Sequence, residues 1–274
     1  MEFEEQALDH QQPMASDGPT ENPLDILQQK FGLNTFRSGQ SSVIERLLQG
    51  NNVAAVFPTG GGKSLCYQLP SQMLAGTAKV DVTDYQAGPV HDPLYVKALV
   101  LKQGEVQVAI VPVDGVPMCP VGRLKDRYLS TVREAIDESL GIPPSNVLVN
   151  ASHCHGVVRG DTDKLTIEAI KEAADNLVPV RVGVGLGNED RVGENRRLLM
   201  KDGREIDVRH AYSMPPDAEV AGVGPIDPQI GVLRVDRLSG TPLAVIYNYA
   251  CHPIQGVPSG ANTADITGLA STVI

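Results

Sequence analysis

Two stretches of this chain carry residues whose type and spacing suit chemistry. The first is PTGGGKS at residues 58–64, set between the apolar run VAAVF and the mixed segment LCYQLPSQML. Glycines between a buried strand and a helix let backbone N–H groups wrap a phosphate. A lysine then reaches the terminal phosphates and a hydroxyl holds magnesium. Thr59, Gly60, Gly61, Gly62, Lys63 and Ser64 supply those parts. The strict phosphate-loop pattern has another glycine five positions before the last one, where this chain has Phe57. Alone, the motif is moderately specific, and a ligand-free glycine turn competes with it.

The second stretch is SHCHG, directly after the apolar run NVLVNA. Two-residue strand periodicity turns His153 and His155 to one face and Cys154 to the other. Paired imidazoles at a strand end suit zinc, although packed or hydrogen-bonded histidines satisfy the same HxH pattern. A further histidine, His252, arrives at the end of LAVIYNYACHP, a separate apolar strand pattern. His91 in GPVHDP reads as a strand-leading residue with local hydrogen bonds. VGVGLGNED reads as a strand and turn rather than a dinucleotide loop, because no βαβ setting surrounds it.

The positioning elements follow from periodicity. LDILQQKFG and SSVIERLLQG have apolar residues at helical spacing, and Gly50 stops the second. VAAVF reads as a short buried strand. From about Gly76 the pattern becomes strand-rich: TAKVDVT, then LYVKALVL and VQVAIVPVD as a hairpin turning at Gly104. RLKDRYLSTVREAIDESL is helical and ends at Gly141. DKLTIEAIKEAADNL is a second helix. VPVRVGVGLG, the hairpin LLMKDGREIDVRH, IGVLRVDR and LAVIYNYACHP complete the strands. The acidic pair Asp137 and Glu138 falls inside a helix and reads as solvated charge.

Composition bounds the partners. The 274 residues are 42% hydrophobic with a net charge of −10, and the isoelectric point is about 5.0. Chains that grip a phosphate backbone carry a basic patch, so strong nucleic-acid binding by the whole chain is disfavoured. Four irregularly spaced cysteines without a CxxC pair argue against a disulfide framework and fit a reducing compartment. Residues 1–23 hold acidic groups, no Lys or Arg and no apolar core, which reads as a disordered acidic tail rather than a signal peptide. No apolar run approaches membrane-spanning length. A soluble, cytoplasmic protein is the expectation.

Context sharpens both motifs. FGLNTFRSGQSSVI upstream of VFPTGGGKSLCYQLP resembles the start of the RecQ family of DNA helicases, over about residues 24–75. The resemblance implies Arg37 and Gln40 at an adenine base, Lys63 on the β and γ phosphates of ATP and Ser64 on Mg2+. The DExH box and second RecA-like lobe that such helicases need do not follow, so DNA is a partner only where those lobes are present.

AKVDVT, GPVHDPLYVKALVL, NVLVNASHCHG, YNYACHP and NTADITG resemble, in that order, the N-terminal domain of neutral, non-lysosomal ceramidases from about residue 77 onward. In that family zinc activates water against the amide of an N-acylated sphingoid base. The resemblance implies His153 and His252 as metal ligands, His155 beside the reacting carbonyl, and Asp265 behind the ligands or in a structural role. The family completes its site with a Glu and a Tyr further along, so the chain reads as truncated at its C-terminus, its metal site incomplete and its activity weak or absent.

The expected fold class is therefore α/β: a short helix–strand–phosphate-loop–helix fragment of a RecA-like domain, then a mixed α+β ceramidase-like domain. The divisions are 1–23, 24–75 and 76–274. The leading function is zinc-dependent hydrolysis of an N-acyl amide or lipid-like substrate. The alternatives are an ATP-binding helicase segment, or a fusion or assembly artefact that does neither. Apolar surface left uncovered by missing segments is expected to promote self-association.

Overall fold

The computed structural model describes residues 22–48, 53–55, 57, 61, 65–66, 73–116, 124, 126–208, 213–253 and 261–274. The chain divides into two compact units, Met1–Ser71 and Gln72–Ile274.

In the first unit, α1 (Pro23–Phe31) starts where the Asn22 side chain accepts the Leu24 N–H at 3.0 Å, with proline in the first turn. It stops at Gly32, whose φ of 63° is the left-handed cap that glycine adopts without a Cβ clash. The second helix, α2, spans Gln40–Leu48. Leu27 and Ile44, both fully buried, meet Leu65 and Cys66 in a small core with Phe36 and Phe57 at its edge. The described residues of the strand expected at VAAVF, Val53, Ala54, Ala55 and Phe57, have no regular structure, and Val56 lies outside the described residues. A parallel strand needs neighbours to satisfy its backbone, and among the described residues this unit offers none.

The second unit is mixed α/β. Its strands are β1 (Met73–Asp81), β2 (Tyr95–Gln103), β3 (Val106–Val113), β4 (Val147–Ala151), β5 (Val178–Asn188), β6 (Arg197–Met200), β7 (Glu205–Asp207), β8 (Val220–Val223), β9 (Gln229–Arg237) and β10 (Pro242–Tyr249). Among the described residues three α-helices accompany them: α3 (Tyr128–Leu140), α4 (Thr162–Asp175) and α5 (Asp265–Val273). Seven strands form one sheet in the order β10-β9-β5-β1-β2-β3-β4, and β7-β6-β8 form a second. All neighbours in the large sheet are antiparallel except β3 and β4, which run parallel on either side of α3.

The expected hairpin at Gly104, the two central helices and the strand–turn reading of VGVGLG stand as anticipated. Gly141 ends α3 with a φ of 66°, and Asp137 and Glu138 lie exposed in its last turn. Three assignments shift. Met73 and Leu74, expected to end a helix, already belong to β1, where Leu74 pairs with Lys102. Strand β8 and helix α5 were not anticipated, because VAGV is short and has no apolar–polar alternation and Gly268 interrupts the helical pattern of DITGLASTV.

Alternation divides the sheet's contacts. Val96, Ala98 and Val100 of β2 and Ala109, Val111 and Val113 of β3 pack with Val132 and Ile136 of α3 and Ala169, Ile170 and Ala173 of α4. Each fully buried Val or Ile side chain contributes about 1.5–3 kcal/mol of apolar burial. Leu99 and Ala75 face the other way and join Val180, Val235, Leu243 and Ile246. Strand β10 is the far edge of the sheet, three places from β1, yet it packs against it. The sheet therefore curls over the face opposite α3 and α4. Past that contact, Val184 and Leu186 of β5 stand 84% and 75% exposed.

Candidate metal centre

Strand β4 ends at Ala151, and Ser152 adds one more bond by donating its N–H to the Val113 carbonyl at 2.9 Å. His153 then takes a left-handed φ of 61°, which breaks the strand alternation. The HxH therefore lies beyond the strand, in irregular backbone, contrary to the two-residue periodicity expected of it. Cys154 anchors the loop: it is fully buried in the helix-side core, and that burial pushes its thiol up to about 11. It packs rather than reacts. Gly156 lies so close to Leu94 that an added Cβ would sit 2.6 Å from the Leu94 side chain and 3.1 Å from the Thr263 carbonyl.

A single asparagine ties this loop to the segment before α5. Asn262 Oδ1 accepts the Val157 N–H at 2.7 Å, its Nδ2 donates to the Asp84 carbonyl at 3.0 Å, and its own carbonyl accepts the His91 N–H at 2.8 Å. Next to it, the Asp92 carboxylate accepts the Thr263 hydroxyl and the Ala264 N–H, each at 2.6 Å. The Thr263 hydroxyl in turn accepts the Asp265 N–H at 2.9 Å. Asp265, buried and with a φ of 60°, is held at the start of α5 by this chain of bonds. His91 thus contributes through its backbone to a partner far along the chain, rather than through the local hydrogen bonds expected of it.

His252 follows β10, after a tight turn in which Cys251 N–H donates to the Tyr249 carbonyl at 3.0 Å. The structure brings all three sequence-predicted histidines together. Ring centroids lie 4.7 Å apart for His153 and His252, 5.4 Å for His155 and His252, and 5.5 Å for His153 and His155. One nitrogen from each lies within 4.8 Å of the others. Zinc ligands at about 2.0–2.1 Å in a tetrahedron stand about 3.4 Å from one another, so small side-chain rotations close the set. Partial desolvation, then the positive charge of Arg196, then the neighbouring imidazoles lower the pKa of His252, while Asp265 opposes them. The neutral form favoured by this balance is the one that ligates. The donor set fits a borderline divalent ion such as zinc.

Sequence reasoning missed Arg196 and the Asp92–Thr263 pair. Arg196 sits in the GENRR segment before β6, with no motif to single it out, and Asp92 was passed over in favour of the adjacent His91.

The nucleotide motif is described only in part. Gln40 is buried, its Oε1 accepts the Arg37 N–H at 2.9 Å, and its Nε2 donates to the Gly61 carbonyl at 3.4 Å. The residue expected at adenine is thus joined directly to the glycine loop. Thr59, Gly60, Gly62, Lys63 and Ser64 lie outside the described residues.

Comparison with known proteins separates the two units. The DEAD/DEAH box helicase family matches residues 37–87. The chain is 56% identical over 50 residues to the probable ATP-dependent DNA helicase RecS of Bacillus subtilis (strain 168), covering 18% of this chain and 10% of that protein. It is 46% identical over 56 residues to the ATP-dependent DNA helicase RecQ of the same organism, covering 20% and 10%. Among solved structures, neutral ceramidase from Pseudomonas aeruginosa aligns with a TM-score of 0.56 at 18% identity, covering 73% of this chain and 35% of that one. A ceramidase complexed with C2 aligns with a TM-score of 0.55 at 18% identity, covering 73% and 34%. The chain spans about a tenth of those helicases and about a third of those ceramidases.

The N-terminal part is therefore RecQ-like in sequence, and most of the chain is ceramidase-like in fold. The helicase match runs through β1. Residues 74–81 pair along their whole length with β2, so β1 belongs physically to the second unit.

Proposed function

We propose that residues 76–274 act as a zinc-dependent amidase unit of the neutral-ceramidase type, with an N-acyl amide or lipid-like amide as substrate. The observation that carries this reading is the convergence of His153, His155 and His252 nitrogens from the ends of two different strands. His153 and His252 hold the ion, and His155 stands beside the reacting carbonyl to polarise it or carry its proton. Asp265, fixed by Thr263 and Asp92, stabilises the imidazoles from behind. When bound, zinc supplies Lewis-acid polarisation and a water acidified to near neutrality. Each histidine must be neutral to serve, which the lowered pKa of His252 favours.

The test is zinc content after dialysis, followed by hydrolysis of a fluorogenic N-acyl amide. One zinc per chain is expected, lost in both His153→Ala and His252→Ala. Zinc retained in both variants, or never bound, sinks the reading.

A second reading is supported by the helicase match and by the Gln40 bond to Gly61. Residues 24–75, preceded by an acidic tail at 1–23, bind ATP with Mg2+ through Arg37, Gln40, Thr59, Gly60, Gly61, Gly62, Lys63 and Ser64, and DNA engages only with further helicase lobes. Stabilisation of the chain by magnesium ATP that disappears in Lys63→Ala supports it, and an equal shift in that variant refutes it. Among the described residues no helix is long and apolar enough to cross a membrane.

A further inference from the structure

On the face of the large sheet opposite α3 and α4, β10 and α5 overhang β1 and β2 and enclose a cleft of about 610 Å3. The cross-strand pair Lys79 and Lys97 lines it, the two residues being direct Cα partners in the antiparallel register. Like charges placed directly opposite one another repel and weaken the strand pair. Only Lys97 has an acidic partner: its Nζ lies 3.4 Å from Asp114 Oδ2, which also accepts the Tyr95 N–H at 3.1 Å. Lys79 Nζ lies 3.8 Å over the Tyr95 ring, and among the described residues no carboxylate pairs with it. The other acid of the cleft, Asp92, has its carboxylate engaged by Thr263 and Ala264. The overhanging wall is apolar, with Leu243, Val245 and Leu269.

A pair of ammonium groups with one left unneutralised, beside an apolar wall, matches one ligand chemistry. We propose that this cleft binds an amphiphile with a single anionic head, the head lying over Lys79 and Lys97 and the apolar body along Leu243, Val245 and Leu269. The head relieves the lysine repulsion, and the body takes apolar wall surface out of water. None of the three histidines lines the cleft, so the proposal stands independently of the zinc reading.

The experiment is calorimetric titration of the full chain with octanoate, decanoate and decyl sulfate below micelle formation. EDTA is present throughout so that no metal ion recruits the carboxylate. Saturable binding of one molecule per chain is expected, tightening about threefold to fourfold for each added methylene. Lys79→Met, which keeps the apolar stem, is expected to weaken decanoate about fivefold, the size of a partly exposed ion pair. Lys97→Arg retains the Asp114 pair and guards against a variant that fails to fold. Leu269→Asp is expected to abolish binding. Unsaturable uptake of several molecules, equal affinity for a neutral decyl glucoside, or an unchanged dissociation constant in Lys79→Met would overturn the proposal.

Discussion

His153 and His252 follow the two opposite edges of the seven-stranded sheet, β4 and β10, yet their rings meet with centroids 4.7 Å apart. A flat sheet would hold its edge strands roughly 28 Å apart, six spacings of about 4.7 Å. The curl that packs β10 against β1 is thus also what closes the histidine cluster, and anything that relaxes the curl opens the site.

Asp265 offers the cleanest probe of the support behind the histidines. Asparagine tolerates left-handed backbone, so Asp265→Asn removes charge without adding strain. Zinc affinity, measured by competition with a chromogenic chelator, is expected to fall about 10- to 100-fold, as for other residues that orient ligands. Unchanged affinity would assign Asp265 a purely structural role.

Asp92 tests the same support from the other end. Asp92→Ala leaves the Thr263 hydroxyl and the Ala264 N–H without their acceptor. A buried group so orphaned costs about 1–3 kcal/mol, so the urea midpoint should drop clearly. Zinc affinity is expected to fall with it, since Asp265 loses its fixed position. A stability loss with full zinc affinity would disconnect the clamp from the site.

At Gly76 the end of α4 presses directly on the sheet. A Cβ there would collide with backbone atoms of Ala173, Asn176 and Leu177, none of which can rotate away. Gly76→Ala is expected to destabilise the second unit by about 3 kcal/mol or more, the upper range of overpacking. Chemical denaturation with far-UV detection checks this, and a loss below about 1 kcal/mol would contradict the tight α4–β1 approach.

Tyr128 gives a pH prediction with a definite sign. It is buried, its hydroxyl is 2.7 Å from Thr166 Oγ1, and burial pushes its pKa from 10.0 up to about 12. Between those values the unfolded chain loses this proton and the folded chain keeps it. The folded state then binds more protons, so stability falls as pH rises through that window. The wild-type melting temperature should decline more steeply there than that of Tyr128→Phe. Parallel slopes would show that Tyr128 ionises normally.

Much of the local structure was legible because its signals are local. Asn22 and Gly32 bracket α1, Gly104 turns β2 into β3, and Gly141 stops α3. The failures were places where a partner decides. VAAVF has strand-forming residues but no described neighbour to pair with, and Met73 and Leu74 are strand because Lys102 and Leu101 lie beside this segment. Helix α5 depends on Asp92 holding Thr263 and Ala264, a bond between residues far apart in the chain.

The same division runs through the candidate site. Residue types alone determined that His153, His155 and His252 are able to bind a metal and that each follows an apolar strand, since imidazole chemistry and strand alternation are written in the chain. Whether the three meet was decided by the curl of the sheet, which sums small twists over seven strands and the packing of Leu99, Val235 and Ile246. The left-handed turn at His153 and the Asn262 and Asp92 ties set the final geometry. No short stretch of sequence contains that information, because each of those contacts joins segments that only folding brings together.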